Sequence, residues 1–310
     1  MELVFLGTPA FAVPTLERLV EAGHVVLAVY TQPDRPKGRG ERVAQSPVKQ
    51  AALRLGLEVR QPERIRRPEV ADELRRLTPA AMVVVGYGQI IPQSIIDIPP
   101  RGIINVHASL LPKYRRAAPI QWAIANGETR TGVTTMRIDA GLDTGDMLLA
   151  QVCPIGIEET AVDVYECLSD VGAKLMIRTL HKLAEGTLYP QQQDHSLATL
   201  APILTREDGL MDFTRTATQL YDRWRGFQPW PGAHTTFRGK KLIAHKLHVT
   251  NETFHGQPGE LIVRGDLMLV RCANSSILAF DEVQLEGKRR MTAADFLHGY
   301  QLKSGEFLGQ

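Results

Sequence analysis

The chain has 310 residues, 44% hydrophobic and 23% charged, with 36 Lys and Arg against 34 Asp and Glu. That composition is ordinary for a folded protein long enough for two domains, and it argues against a disordered chain. No apolar run approaches the roughly 20 residues of a membrane helix, the opening MELVFLGTPAF has no basic leader, and a net charge of +2 is too mild to identify a nucleic-acid partner without local clustering, so a cytoplasmic location is expected.

Glu2 to Leu6 is a short apolar run reaching Gly7, Phe11 to Val20 has helical spacing, and His24 to Tyr30 returns to a β-rich run. This is a βαβ opening. The first turn, GTPAF, lacks the second and third glycines that let a backbone approach a pyrophosphate, so a nicotinamide enzyme is not expected even though Asp34 follows the second strand. Gly7 is expected instead to let the chain turn sharply, with Thr8 and Pro9 starting the helix. Thr31 to Lys49 then carries Arg35, Lys37, Arg39, Arg42 and Lys49 against Asp34 and Glu41, with glycine and proline throughout. Such a stretch cannot pack a core. A solvated surface loop is the bland alternative; the reading preferred is a basic loop that grips a phosphodiester chain.

Helices are expected over Ser46 to Leu55 and Pro68 to Leu77, with buried strands at Met82 to Val85 and Gly102 to Val106. Parallel strands with helices on both faces follow. At the end of the second of these strands Asn105 and His107 stand two apart, hence on one face. A carboxamide able to donate to a developing oxyanion beside an imidazole able to move a proton suits acyl chemistry, although a histidine at a strand end is as often a surface or satisfied core residue. Further on, MRIDAGLDTGDM sets aspartates among Gly141, Thr144 and Gly145 and reads as a functional loop. Asp139 and Asp143 each suit an Asx-turn; alternatively one of them orients His107.

A long helix is expected over Ala161 to Glu185, ended by Gly186, followed by a polar linker, TLYPQQQDHSLATLAP. The domains read as 1–186, linker 187–205, and 206–310. In the last of these, short runs at His234 to Phe237, Leu242 to Val249, Glu260 to Arg264, Leu267 to Arg271 and Ile277 to Val283 argue a small OB-like β-barrel. Arg238, Lys240, Lys241 and Lys246 make a basic cluster on it. In YDRWRGFQPW the aromatic residues interleave with Arg223 and Arg225, as a core element or a stacking platform for RNA, with core favoured for Trp224 and Trp230. Cys153, Cys167 and Cys272 lack any CxxC spacing and are expected as buried free thiols, with no metal site.

Asn105-x-His107, the run Ser109-Leu110-Leu111-Pro112 and Leu142-Asp143-Thr144-Gly145-Asp146 resemble the folate-dependent formyltransferases. FLGTPAF, TQPDRPKGRG with SPVK, VVVGYGQIIP, TREDGLMDF and QPWPGAHTTF extend the likeness to the methionyl-tRNA formyltransferases over nearly the whole chain. The core motif alone would also fit glycinamide ribonucleotide transformylases and sugar N-formyltransferases; the basic loop and the C-terminal region decide between them. An amino-sugar or small-amine acceptor, and an RNA-binding protein without chemistry, are the other readings.

The resemblance implies an α/β fold, a Rossmann-like parallel-sheet formyltransferase domain followed by an OB-like barrel. It implies transfer of the formyl group of 10-formyltetrahydrofolate to the α-amine of methionine on initiator tRNA, for translation initiation, by a monomer away from any membrane. Asn105, His107 and Asp143 would be catalytic. Ser109, Leu110, Leu111, Pro112, Gly86, Tyr87, Gly88, Gln89, Ile90, Ile91 and Asp139 would hold the folate, and Arg35, Lys37, Arg39, Arg42, Lys240 and Lys241 the tRNA. One departure stands out: these proteins usually have glycine where this chain has Arg116. If that position needs positive φ, arginine costs about 1 kcal/mol or more.

Overall fold

The computed structural model describes residues 1–37 and 42–309. It divides into two compact units, the first made of Met1–Pro119, Arg130–Pro154 and Val164–Pro202, the second of Ile120–Thr129, Ile155–Asp163 and the chain from Ile203 onward. In chain order the elements begin β1 (Glu2–Gly7), α1 (Val13–Glu21), β2 (Val25–Tyr30), β3 (Arg35–Lys37), β4 (Arg42–Ala44), α2 (Pro47–Arg54), β5 (Val59–Arg60) and α3 (Pro68–Leu77). They continue β6 (Ala81–Val85), α4 (Gln93–Ile96), β7 (Ile103–His107), α5 (Pro119–Ala125), β8 (Arg130–Arg137), β9 (Met147–Pro154) and α6 (Ala161–Glu185).

In the first unit one sheet runs β5-β2-β1-β6-β7-β8-β9. Its β1, β2, β5, β6 and β7 are parallel, whereas β8 and β9 are antiparallel to their neighbours. Leu3 to Leu6 of β1 are fully buried, as a strand covered on both faces must be. Val4 and Leu6 pack with Tyr30, Val84 and the Val70–Leu74 face of α3. Proline at the first turn starts both α2 and α3, and the Ser46 hydroxyl accepts from the Lys49 N–H, a cap worth about 1 kcal/mol.

Three expectations change here. Gly7 does not adopt positive φ; a Cβ on it would lie 2.8 Å from the Phe5 ring and 3.1 Å from the Val85 carbonyl, so it serves close packing. A 3-10 turn over Ala10–Ala12 delays α1 to Val13, with Pro14 in its first turn. The expected linker belongs to the first unit as far as Pro202: Gln191 and Met147 exchange backbone hydrogen bonds at 2.8 Å, and Ala201 N–H donates to the Arg115 carbonyl at 2.7 Å. The strand β8 carries no alternation to mark it, because Thr131 to Met136 are buried on both faces, and β9 is exposed or half-buried apart from Leu148 and Cys153.

The second unit continues with α7 (Ala217–Gly226), β10 (Ala233–Phe237), β11 (Lys240–Thr253), β12 (Leu261–Arg264), β13 (Leu267–Arg271), β14 (Ser276–Leu285), β15 (Met291–Thr292) and α8 (Ala293–Tyr300). These strands form an antiparallel sheet in the order β10-β11-β14-β13-β12, with β15 beside β14. The C-terminal tail bridges its two edges. Leu261 N–H donates to Glu306 and Leu308 N–H to Gly259 beside β12, while Gly309 N–H donates to Thr236 of β10. Inward residues such as Phe237, Leu247, Phe280 and Phe296 make the core.

Around α7 the arginines are structural. The buried Arg225 guanidinium reaches Asp222 at 2.6 Å and the carbonyls of Gly156 and Glu159, and Arg223 lies 4.8 Å over the Phe227 ring. Trp224 packs against the core as expected, but Trp230 is 51% exposed, because it sits in the turn that leads to β10. Cys153 and Cys272 are buried, with thiols pushed up by burial to about 11 and about 12, whereas Cys167 is exposed, contrary to expectation.

Candidate active site

The loops after β1, β2, β6 and β7 leave from the same end of the parallel sheet, since Val84 of β6 stands beside Asn105 of β7 and Val85 beside Gly7. That end is where open α/β sheets bind ligands. The loop from Gly86 is held there by the Tyr87 carbonyl, which accepts from Thr8 Oγ1 at 3.0 Å and Gln32 Nε2 at 3.1 Å. Gly86 (φ +57°) and Gly88 (φ +84°) supply the left-handed turns.

Asn105 and His107 occupy one face at the end of β7, opposite Met136 and Thr134 of β8. Among the described residues the Asn105 carboxamide has no hydrogen-bond partner and is only half-buried, leaving its donors free. His107 is 6% exposed. Its Nε2 donates to the Tyr114 carbonyl at 2.9 Å, which fixes the proton there in the neutral ring, and its Nδ1 lies 3.6 Å from Asp143 Oδ1. A protonated ring therefore presents its second N–H toward Asp143.

Asp143 reaches this position from the β8–β9 loop in a left-handed conformation, φ +57°. Its Oδ2 accepts the Arg116 backbone N–H at 2.7 Å, and its carbonyl accepts from Gln193 Nε2 at 2.9 Å. The loop that supplies Arg116 is braced in turn. Ser109 Oγ donates to the Lys113 carbonyl at 2.6 Å, and Thr134 Oγ1 donates to the Ser109 carbonyl at 2.7 Å while accepting from Leu111 N–H at 3.2 Å.

The other residues singled out from the sequence have varied fates. Ser109 is fully buried, with its hydroxyl committed to its own turn, and Leu111 is buried while Leu110 and Pro112 are half-buried. Tyr87 is 2% exposed, and Gln89 accepts from Ile65 N–H at 2.7 Å, so both brace the loop. Ile91 packs in the core below, leaving Ile90, 74% exposed, as the apolar side chain presented by that loop. Asp139 accepts from Gly141 N–H at 3.1 Å and Thr144 Oγ1 at 2.8 Å, the Asx-turn alternative. Arg39 lies outside the described residues; Arg35, Lys37 and Arg42 provide backbone to β3 and β4, and Lys49 is paired with Asp34 at 2.5 Å. Lys240 and Lys241 are exposed where β11 begins, in the second unit. Among the described residues no cluster of His, Cys, Asp or Glu suits a metal, and no helix is long and apolar enough to cross a membrane.

Sequence reasoning missed Arg115, Thr134, Gln193 and Thr199. Each acts through a contact distant in sequence, and no local motif marks them.

The Formyl transferase family model matches residues 1–180 and that of the Formyl transferase C-terminal domain matches residues 203–301. The methionyl-tRNA formyltransferase of Solibacter usitatus is 57% identical over 310 residues, covering 100% of this chain and 99% of the relative. That of Geobacter sulfurreducens is 50% identical over 311 residues, covering 100% and 97%. Among solved structures, the sugar 3N-formyl transferase WlaRD superposes with a TM-score of 0.68 at 19% identity, covering 93% of this chain and 99% of that one. HypX from Aquifex aeolicus in complex with tetrahydrofolic acid gives 0.62 at 16% identity, over 99% of this chain and 50% of that one. At those identities the likeness is one of fold.

Proposed function

The chain belongs to the formyl transferase family, and from that premise we propose that it transfers the formyl group of 10-formyltetrahydrofolate to the α-amine of methionine on initiator tRNA. The observation that carries the chemistry is the convergence of a free carboxamide, a buried imidazole and a carboxylate at one end of the sheet. The substrate reading draws on full-length identity to relatives bearing that activity.

The folate supplies an activated formyl group. Asn105 donates to the formyl oxygen as negative charge gathers on it, and a protonated His107, its N–H groups turned to the Tyr114 carbonyl and Asp143, adds positive charge to the site. Asp143 keeps His107 oriented and helps the attacking amine lose its proton; once the amine–formyl bond has formed, the bond from the formyl carbon to the folate N10 breaks and that nitrogen leaves carrying a proton. No covalent enzyme adduct is needed, since no serine or cysteine in these segments has a base beside it. The exposed Ile90 and the glycine turns beside it suit one flank of a flat heterocycle, with backbone groups reading its edge.

For the acceptor, Arg35, Lys37, Arg39 and Arg42 of the basic loop, with Lys240 and Lys241, are assigned to tRNA phosphates, and residues 206–310 to a tRNA-binding domain. The enzyme is placed in the cytoplasm, as a monomer. The test is incorporation of labelled formyl from 10-formyltetrahydrofolate into charged initiator tRNA, with free methionine alongside, over a range of salt. Incorporation restricted to the tRNA, falling steeply with ionic strength, supports the reading. A flat salt profile with labelling of small amines refutes it.

A further inference from the structure

One segment, Gln191 to Ala201, holds both members of the His107–Asp143 pair. Thr199 Oγ1 accepts the backbone N–H of Tyr114 at 2.9 Å, and the carbonyl of that same Tyr114 receives His107 Nε2. Six residues earlier, Gln193 Nε2 donates to the carbonyls of Asp143 at 2.9 Å and Gly145 at 2.7 Å. Gln193 is 3% exposed, and its orientation follows from chemistry. The buried Arg115 guanidinium, which can only donate, contacts Gln193 Oε1 through Nε at 3.1 Å and Nη2 at 2.7 Å, so the oxygen must face Arg115 and the amine must face the two carbonyls. Arg115 Nη2 also meets His195 Nδ1 at 2.9 Å. Backbone bonds from Arg115 N–H to the Thr199 carbonyl and from Ala201 N–H to the Arg115 carbonyl dock the segment independently of these side chains.

We propose that Gln193 and Thr199 are positioning residues that set the distance and angle between His107 and Asp143. This rests on those two residues carrying the reaction. Asp143 has positive φ in a loop with Gly141 and Gly145 close by; the Gln193 amide on its carbonyl sets the backbone from which the carboxylate reaches the Arg116 N–H. Tyr114 also has positive φ, 58°, and Thr199 holds it on both sides: Oγ1 takes the N–H of the peptide before it, and the Thr199 carbonyl takes the Arg115 N–H of the peptide that carries the Tyr114 carbonyl.

The experiment measures initial rates with both substrates for Gln193→Ala, Thr199→Val and Thr199→Ser, and for Gln193→Ala in an Asp143→Asn background. Thr199 is exposed and its backbone bonds survive substitution, so the Thr199 variants are expected to fold. Gln193→Ala and Thr199→Val should lower kcat about tenfold with KM for either substrate within about threefold, and Thr199→Ser should restore kcat. Gln193→Ala should add nothing to Asp143→Asn, because it acts through that residue. Full loss in both backgrounds, a change confined to KM, or wild-type kcat in Gln193→Ala and Thr199→Val while Asp143→Asn is impaired would overturn the proposal. Wild-type kcat in Asp143→Asn itself would overturn the catalytic reading beneath it.

Discussion

Arg116 donates its backbone N–H to Asp143 Oδ2 at 2.7 Å while holding a φ of +90°. The resemblance implies glycine here, and the backbone gives a reason for that expectation: the amide points at the carboxylate from a conformation that a Cβ disfavours. The bond is made by backbone, so arginine keeps it and bears the strain. Because the Arg116 side chain is exposed, its guanidinium is not needed to hold Asp143.

Arg116→Gly should therefore raise stability by about 1 kcal/mol, net of the extra freedom glycine gains in the unfolded chain. Arg116→Ala should show no such gain. Urea unfolding of the two variants beside the parent measures this. A glycine variant less stable than the alanine variant would show that the backbone there is unstrained.

At the base of the basic loop, Lys49 Nζ donates to Asp34 Oδ2 at 2.5 Å and to Gln61, and Gln61 donates to Asp34 Oδ1 at 2.7 Å. The hydrogen bond from Lys49, then that from Gln61, holds the Asp34 carboxyl below the usual carboxylate range. A lowered native value means that the unfolded chain binds the proton more readily in acid. The pair thus contributes stability in full above about pH 4 and loses it as pH falls through the native value. Lys49→Met should raise the Asp34 carboxyl toward its ordinary value in an NMR titration. The stability gap between parent and variant should be widest at neutral pH and narrow in acid; a gap that widens in acid would contradict the assignment.

Ending the chain after Ser304 should remove the bridge between β10 and β12. Leu308, 2% exposed, leaves the core, at a cost of about 2 kcal/mol or more, and two strand edges lose their cover. Hydrogen exchange should show the Leu261 amide, which donates to Glu306, losing protection. Retained protection at Leu261 would mean that the tail only decorates the sheet.

The parts of this fold legible in the sequence are those with local signals. The helix Pro68–Leu77 shows proline at its start, Ala161–Glu185 ends at Gly186, and β7 delivers Asn105 and His107 by simple alternation. The strand β8 was not legible, since burial on both faces erases alternation, nor was β9, whose two buried residues, Leu148 and Cys153, do not share a period of two. Gln193 and Thr199 were hidden in a polar stretch that reads as linker. Their work is done through contacts 50 and 85 residues away in sequence, to Asp143 and Tyr114, and composition carries no trace of such contacts. Local composition does not separate Asp139 from Asp143, which only the resemblance told apart; the structure puts Asp139 in an Asx-turn and turns the Asp143 carboxylate toward His107.

His107, set between the Tyr114 carbonyl and Asp143, is the residue on which the proposed formyl transfer depends most. The most direct measurement is single-turnover formylation of methionyl initiator tRNA by His107→Ala, with folate affinity determined on the same preparation. The expected rate is at least roughly 100-fold below the parent, with folate binding changed by no more than about threefold. A rate equal to the parent would contradict it.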